Sequence, residues 1–169
     1  MDNNNYEIER KYLIEYPDTE MLSKLEGTEI AEITQDYLTK GKNNENRRVR
    51  MWNAGGCIHY IYTEKKKITN IRRIENECEI TKEEYDILIK EKDPACMTVK
   101  KTRYRVPYSG LLYEIDVFDG VLDSALMEAE IESEDTEIPV PPFANIIREV
   151  TNESGFTNYS IAKNGYQRF

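Results

Sequence analysis

The sequence predicts a mainly β fold of α+β type, an eight-stranded antiparallel β-barrel enclosing a tunnel, with a few short helices packed outside. Three observations lead there. Apolar and polar residues alternate with period two in about eight segments, the mark of strands with one buried face. Clusters of turn-forming residues separate several of these segments, which calls for hairpins and hence antiparallel pairing. Helical periodicity is confined to short stretches.

In chain order the alternating segments run from Tyr6 to Ile14, Glu29 to Leu38, Asn46 to Trp52, Cys57 to Lys66, Ile71 to Ile80, Met97 to Pro107, Leu111 to Phe118 and Leu126 to Glu134. Gly41-Lys42-Asn43-Asn44, Asn53-Ala54-Gly55-Gly56, Ser109-Gly110 and Asp119-Gly120 supply residues that tolerate the positive φ of tight turns. One helix is well marked. Thr81-Lys82-Glu83-Glu84 forms a capping box, Ile80 can staple onto Tyr85, and Tyr85, Leu88 and Ile89 make an apolar stripe that ends before Pro94. Shorter helices are expected from Thr19 to Leu25, around Phe143 to Ile147 after Pro141-Pro142, and from Asn158 to Lys163.

No fixed-period repeat and no low-complexity linker divides the 169 residues, so a single domain, 1–169, is expected. A hydrophobic content of 39% supplies a core, while 33% charged residues leaves many ionic groups to place. The formal net charge of −9 argues against a nucleic-acid partner, whose surface would need a net basic face to displace counterions from phosphates. Met1-Asp2-Asn3-Asn4-Asn5 has neither a basic region nor an apolar run, and no stretch reaches the roughly 20 apolar residues that cross a bilayer, so no membrane partner is expected. Cys57, Cys78 and Cys96 are odd in number, far apart and without a Cys-x-x-Cys pair, which reads as reduced thiols in a cytoplasmic protein. His59 and Trp52 read as structural and packing residues.

The charges carry the functional information. Residues i, i+2 and i+4 of a strand share one face. Glu7, Glu9 and Lys11 share a face, as do Arg48 and Arg50; Thr63 and Lys65; Arg73, Glu75 and Glu77; Lys101, Arg103 and Arg105; Glu114 and Asp116; Glu130 and Glu132. The opposite faces carry Ile8, Val49, Ile74, Val106, Ile115, Ala129 and Ile131 among others. For any one strand, a solvated face would account for this pattern. Across seven strands it leaves unexplained why cations concentrate on some strands and carboxylates on others. A charged lumen explains it: guanidinium and ammonium groups would grip a polyphosphate, and carboxylates would hold Mg²⁺ or Mn²⁺ between themselves and the phosphate oxygens.

With these residues in order, the chain resembles the CYTH superfamily, the triphosphate tunnel metalloenzymes, whose N-terminal Glu-x-Glu-x-Lys is matched by Glu7, Glu9 and Lys11. Tyr37-Leu38, Arg48-Val49-Arg50, Tyr62-Thr63-Glu64-Lys65, Arg73-Ile74-Glu75-Asn76-Glu77, Lys101-Thr102-Arg103-Tyr104, Glu114-Ile115-Asp116-Val117-Phe118, Ala129-Glu130-Ile131-Glu132 and Glu149-Val150-Thr151 look like later landmarks of the family. The resemblance covers nearly the whole chain. It implies an eight-stranded antiparallel tunnel, in a family whose members cleave inorganic triphosphate, thiamine triphosphate or nucleoside triphosphates, or cyclise ATP. Short members are most often similar to tripolyphosphatases, so the resemblance implies cleavage of the terminal phosphoanhydride of tripolyphosphate into orthophosphate and pyrophosphate. The alternatives are an adenylate cyclase, a thiamine- or nucleoside-triphosphatase, or a non-catalytic polyphosphate or nucleotide sensor.

Carried over by position, Glu7, Glu9, Glu130 and Glu132 would hold one or two Mg²⁺ or Mn²⁺ ions, with Asp116 as a further ligand or a neighbour of one. Lys11, Arg48, Arg50, Lys65, Arg73, Lys101 and Arg103 would bind the triphosphate, Arg105 lying nearer the rim. Lys11 and Lys101, with Tyr37 nearby by analogy, are the candidate catalytic residues that handle the proton of the attacking water. The family's Tyr-Ser-Asn near the C-terminus is departed from here, since Tyr159-Ser160 is followed by Ile161. How far the last helix closes the tunnel is left open by that change. A monomer or homodimer is expected.

Overall fold

The structure, a computed structural model, describes the backbone of residues 6–69 and 72–166 and the side chains of residues 7–69 and 74–166. Among the described residues nine strands form one sheet: β1 (Tyr6–Glu15), β2 (Glu29–Leu38), β3 (Asn46–Ala54), β4 (Cys57–Lys67), β5 (Arg72–Ile80), β6 (Val99–Tyr108), β7 (Leu111–Phe118), β8 (Ser124–Glu130) and β9 (Ile146–Glu149). Three helices accompany it: α1 (Thr19–Lys24), α2 (Lys82–Leu88) and α3 (Asn158–Asn164). Ile71, the first residue of the expected fifth strand, lies outside the described residues.

The order is β5-β4-β3-β2-β6-β7-β8-β1-β9, all antiparallel. The sheet curls strongly without closing into the full eight-stranded ring that the alternation suggests. One edge of β1 pairs with β8, from Glu9↔Glu130 to Glu15↔Ser124. The other edge is divided: Tyr6, Glu7 and Ile8 pair with Ile74, Arg73 and Arg72 of β5, and Tyr12 to Ile14 pair with β9 across a bulge. Among the described residues the two ends of the curl therefore meet over three residue pairs.

Two expected elements need correction at this seam. The helix placed around Phe143 to Ile147 is instead a turn, with Ala144 N–H donating to the Pro141 carbonyl, followed by strand β9. Four residues carry too little pattern to declare a strand, and what makes one is the half of the β1 edge that β5 leaves uncovered. The eighth strand spans Ser124–Glu130, not Leu126 to Glu134: its register with β1 ends at Glu9↔Glu130, Ile131 N–H makes a last bond to the Ile8 carbonyl, and Ser133 and Thr136 then fold a turn.

Elsewhere local chemistry acts as the sequence indicates. Gly55 and Gly56 both take positive φ, 58° and 87°, the combination a tight hairpin between β3 and β4 requires. Thr81 and Glu84 close the capping box of α2, and Tyr85 then packs against Tyr60 with ring centroids 4.9 Å apart. Asp18 caps α1 and Thr157 caps α3.

Apolar residues gather in two clusters on opposite sides of the sheet. Outside the curl, Ile14, Val106, Tyr113, Ile115 and Met127 are covered by Leu22 of α1 and by Phe143. Inside it, Leu13, Val99, Phe118 and Leu126 pack against Val150, Phe156, Ile161 and Ala162. Leu13 follows Lys11 on the same face of β1, and Leu126 precedes Glu128 on β8, so the lumen face changes from ionic to apolar along the axis. The C-terminal segment seals the apolar end.

Candidate active site

The ionic part of the lumen is a cavity of about 960 Å³, well above what a few side chains need and comparable with small-ligand sites. Glu7, Glu9, Lys11, Tyr37, Arg48, Arg50, Lys65, Arg103, Arg105, Glu114 and Glu130 all line it, so the structure brings most of the sequence-nominated residues together. Strand register does this. Tyr37 lies opposite Arg48, Glu7 opposite Arg73, Glu9 opposite Glu130, Lys11 opposite Glu128 and Arg105 opposite Glu114.

Sheet order splits the lumen into two halves. Strands β4, β3 and β6, with β2 between the last two, carry Lys65, Arg48, Arg50, Arg103 and Arg105; β7, β8, β1 and β5 carry Glu114, Glu128, Glu130, Glu7, Glu9, Glu75 and Glu77. On the basic half, Arg48 reaches Glu75 at 3.3 Å, Arg50 pairs with Glu77, and Lys65 lies 2.9 Å from Glu7 and 2.6 Å from Glu75. Even so, the buried Nε atoms of Arg48 and Arg50 have no hydrogen-bond partner. Burial and the adjacent Arg48 pull the Arg50 guanidinium down to about 10 against the opposing effect of Glu77. Crowded cations with spare donors are what an anionic ligand would satisfy.

The acidic half is less evenly compensated. Lys11 pairs with Glu128 at 2.7 Å, and this with Arg103 and Lys101 outweighs burial to hold the Glu128 carboxyl well below its usual range. Glu130 behaves oppositely. Partial burial raises its pKa, and the negative charges of Glu7, Glu114, Glu75 and Glu9 add to the rise. Burial also raises Glu7, opposed by Lys65 and aided by the hydrogen bond that its protonated form donates to the Glu75 carboxylate. Carboxylates directly opposite each other across a strand pair, as Glu9 and Glu130 are, repel unless a cation lies between them.

Several nominated residues lie elsewhere. Glu132, expected as a metal ligand, is exposed beyond the end of β8 and does not line the cavity. Glu128, two alternations earlier on the same face, lines it together with Glu130; parity marks the right face, and the strand boundary decides which of its residues reach the cavity. Lys101 and Asp116 are on the lumen face but sealed beneath its wall, with side chains 1% and 2% exposed. Asp116 takes Arg103 at 2.6 Å and 2.7 Å and Lys101 at 2.5 Å, so its oxygens are occupied by cations and not presented to a metal. Burial, opposed mainly by Asp116, brings the Lys101 ammonium down to about 8. The Arg73 backbone is on β5, and its side chain lies outside the described residues. His59 and Trp52 edge the cavity: His59 Nδ1 is 2.7 Å from Glu79, and the Arg50 guanidinium lies 5.9 Å from the Trp52 ring centre.

The C-terminal segment supplies residues that no strand pattern could reveal. The Phe156 carbonyl accepts from Lys11 Nζ at 3.3 Å, Asn158 Oδ1 accepts from Lys101 Nζ at 3.1 Å, and the Tyr159 ring meets Tyr37 edge-on at 5.2 Å. This segment closes one end of the cavity.

A family model described as CYTH domain matches residues 5–166. The chain belongs to the CYTH family. This CYTH domain is 30% identical over 166 residues to an inorganic triphosphatase of Acetivibrio thermocellus, with 96% of this chain and 97% of the relative covered. The crystal structure of the inorganic triphosphatase NE1496 is 31% identical and superposes with a TM-score of 0.56 over 92% of this chain and 93% of that one. The PH1819 protein of Pyrococcus horikoshii OT3, 20% identical, superposes with a TM-score of 0.58 over 76% and 80% of the two chains, a likeness of fold.

Among the described residues of this CYTH domain, no three His, Cys, Asp or Glu side chains are drawn into a ready-made metal cluster. The chemistry of the acidic half nevertheless fits a hard divalent ion. Its donors are carboxylate oxygens, Glu9 lies opposite Glu130 in register, and Glu7, Glu114, Glu75 and Glu9 add to the rise of the Glu130 pKa.

Proposed function

We propose that this chain is a metal-dependent inorganic triphosphatase that cleaves the terminal phosphoanhydride of tripolyphosphate into orthophosphate and pyrophosphate. The observation that carries the reading is the division of the lumen: buried guanidiniums with spare donors face carboxylates whose charge is not fully compensated. A hydrolase is also what its relatives indicate, since the two proteins about 30% identical over nearly the whole chain are named inorganic triphosphatases.

The two halves neutralise each other in part through pairs such as Arg48–Glu75 and Arg50–Glu77. Substrate exchanges these pairs for guanidinium–phosphate contacts and frees the carboxylates. Arg48, Arg50, Lys65 and Arg103 hold the phosphate chain and neutralise charge as it moves onto the leaving pyrophosphate. Water oxygen bonds to the terminal phosphorus, the bridging P–O bond breaks, and the electron pair leaves with pyrophosphate. Lys11 and Tyr37, which border the cavity, are the candidates to orient the water, and its proton leaves on the phosphate oxygens of the products. Glu7, Glu9 and Glu130 would hold Mg²⁺ or Mn²⁺, which when bound supplies charge neutralisation and Lewis-acid polarisation of the phosphate oxygens. We place the enzyme in the cytoplasm as a monomer or homodimer, acting on a small molecule; among the described residues no helix is long and apolar enough to cross a membrane.

Purified protein given Mg²⁺ or Mn²⁺ and, separately, tripolyphosphate, ATP or thiamine triphosphate should release orthophosphate fastest from tripolyphosphate. Faster turnover of either organic substrate, or cyclic AMP formed from ATP, would overturn the assignment.

A further inference from the structure

Beneath the basic wall lies a chain of side chains that the hydrolysis scheme does not use. Arg103 lines the cavity, and behind it Asp116 accepts from Arg103 Nε at 2.6 Å and from Arg103 Nη2 at 2.7 Å, a bidentate grip that fixes the plane of the guanidinium. The Asp116 oxygen that receives Nη2 also receives Lys101 Nζ, which in turn donates to Asn158 Oδ1 at 3.1 Å. Asn158 opens α3 in the segment that seals the lumen. That segment is tied down by Val150 N–H to the Lys11 carbonyl at 2.8 Å, by the Ala162 carbonyl accepting from Met97 N–H at 2.6 Å, and by Phe156 and Ile161 in the inner core.

We propose that the C-terminal segment sets the aim of Arg103 at the substrate through the relay Asn158–Lys101–Asp116–Arg103, in which Asp116 and Lys101 are positioning residues and neither metal ligand nor phosphate contact. Burying three charges side by side is costly, and apolar side chains of similar volume would often serve stability as well. What they supply here is orientation. With Nε and Nη2 held from behind, Nη1 remains toward the cavity, where its partner Glu114 lines the wall and can yield to a phosphate oxygen. The relay couples docking of a segment far along the chain to the affinity of the phosphate site, a coupling that strand alternation cannot encode.

The inference rests on reading the lumen as a triphosphate site, and the test separates the two. Calorimetric titration with tripolyphosphate, and separately with Mn²⁺ alone, is carried out on wild type, Asp116→Asn, Arg103→Ala and the double variant. Asp116→Asn should weaken tripolyphosphate about tenfold or more in the wild-type background. It should have less than about a twofold effect when Arg103 is already absent, with Mn²⁺ affinity unchanged in both. An undiminished effect of Asp116→Asn in the Arg103→Ala background, or weakened Mn²⁺ binding, overturns the relay. If circular dichroism shows Asp116→Asn unfolded, Asn158→Ala makes the same comparison, with an expected loss of about threefold that vanishes without Arg103; a loss that persists overturns it. Wild-type protein that binds no tripolyphosphate overturns the lumen reading itself, before any variant is compared.

Discussion

The basic and acidic halves of the lumen are built from similar strands with the same alternation, yet they stand in different electrostatic conditions. Each guanidinium of the basic half has at least one carboxylate beside it, from Arg48–Glu75 to Arg105–Glu114. On the acidic half, Glu9 and Glu130 oppose each other in register and Glu130 is surrounded chiefly by other carboxylates. The difference teaches that the guanidiniums of the basic half are matched by partners they can exchange, while on the acidic half Lys11 and Lys65 offset the carboxylates only in part. Local charge imbalance, more than total charge, distinguishes a phosphate clamp from a metal site.

The strongest way to break the contrast is from the basic side. Arg50→Ala removes a buried guanidinium proposed to hold phosphate and leaves Glu77 without its cation, and kcat/KM for tripolyphosphate should fall by about a thousandfold in steady-state assays. Next comes Glu9→Gln, which should cost about a hundredfold at fixed Mg²⁺ and be partly restored by raising the metal concentration. A loss insensitive to metal would place Glu9 among the structural ion pairs.

Glu130→Gln sharpens the comparison in the opposite sense, because function and stability should part. A glutamate whose folded pKa is raised above its unfolded value stabilises the fold only when protonated, and that contribution disappears as pH rises through the folded pKa. At neutral pH Glu130 is therefore a burden on the metal-free fold. Because Glu130 is exposed and solvent screens it, its amide variant should melt only slightly higher, by about 1 °C or less by calorimetry, while needing more metal for activity. By the same sign, protons compete with metal for Glu7 and Glu130, so in wild type the metal affinity should begin to fall, on acidification, above the ordinary glutamate value of 4.5. The smallest effect belongs to Glu132→Gln, outside the lumen, which should change stability by less than about 0.5 kcal/mol and leave metal activation where it was.

Alternation by itself determined the β architecture, the hairpins, and which face of each strand is ionic, because the side-chain period of a strand follows from its backbone geometry. It also determined most of the residues that meet in the cavity, from Glu7 and Glu9 to Arg48, Arg50 and Arg103. Parity reports a face and is silent on depth along the axis. That is why Lys101 and Asp116, alike in pattern to Arg103 and Glu114, fall beneath the wall, and why Glu128 reaches the cavity and Glu132 does not. Depth was decided by the stagger of β1 against β8, by an edge of β1 left open for β9, and by a C-terminal segment about 140 residues away in sequence that packs against Lys11. These are long-range contacts between surfaces that exist only once the sheet has curled, and no local pattern specifies them.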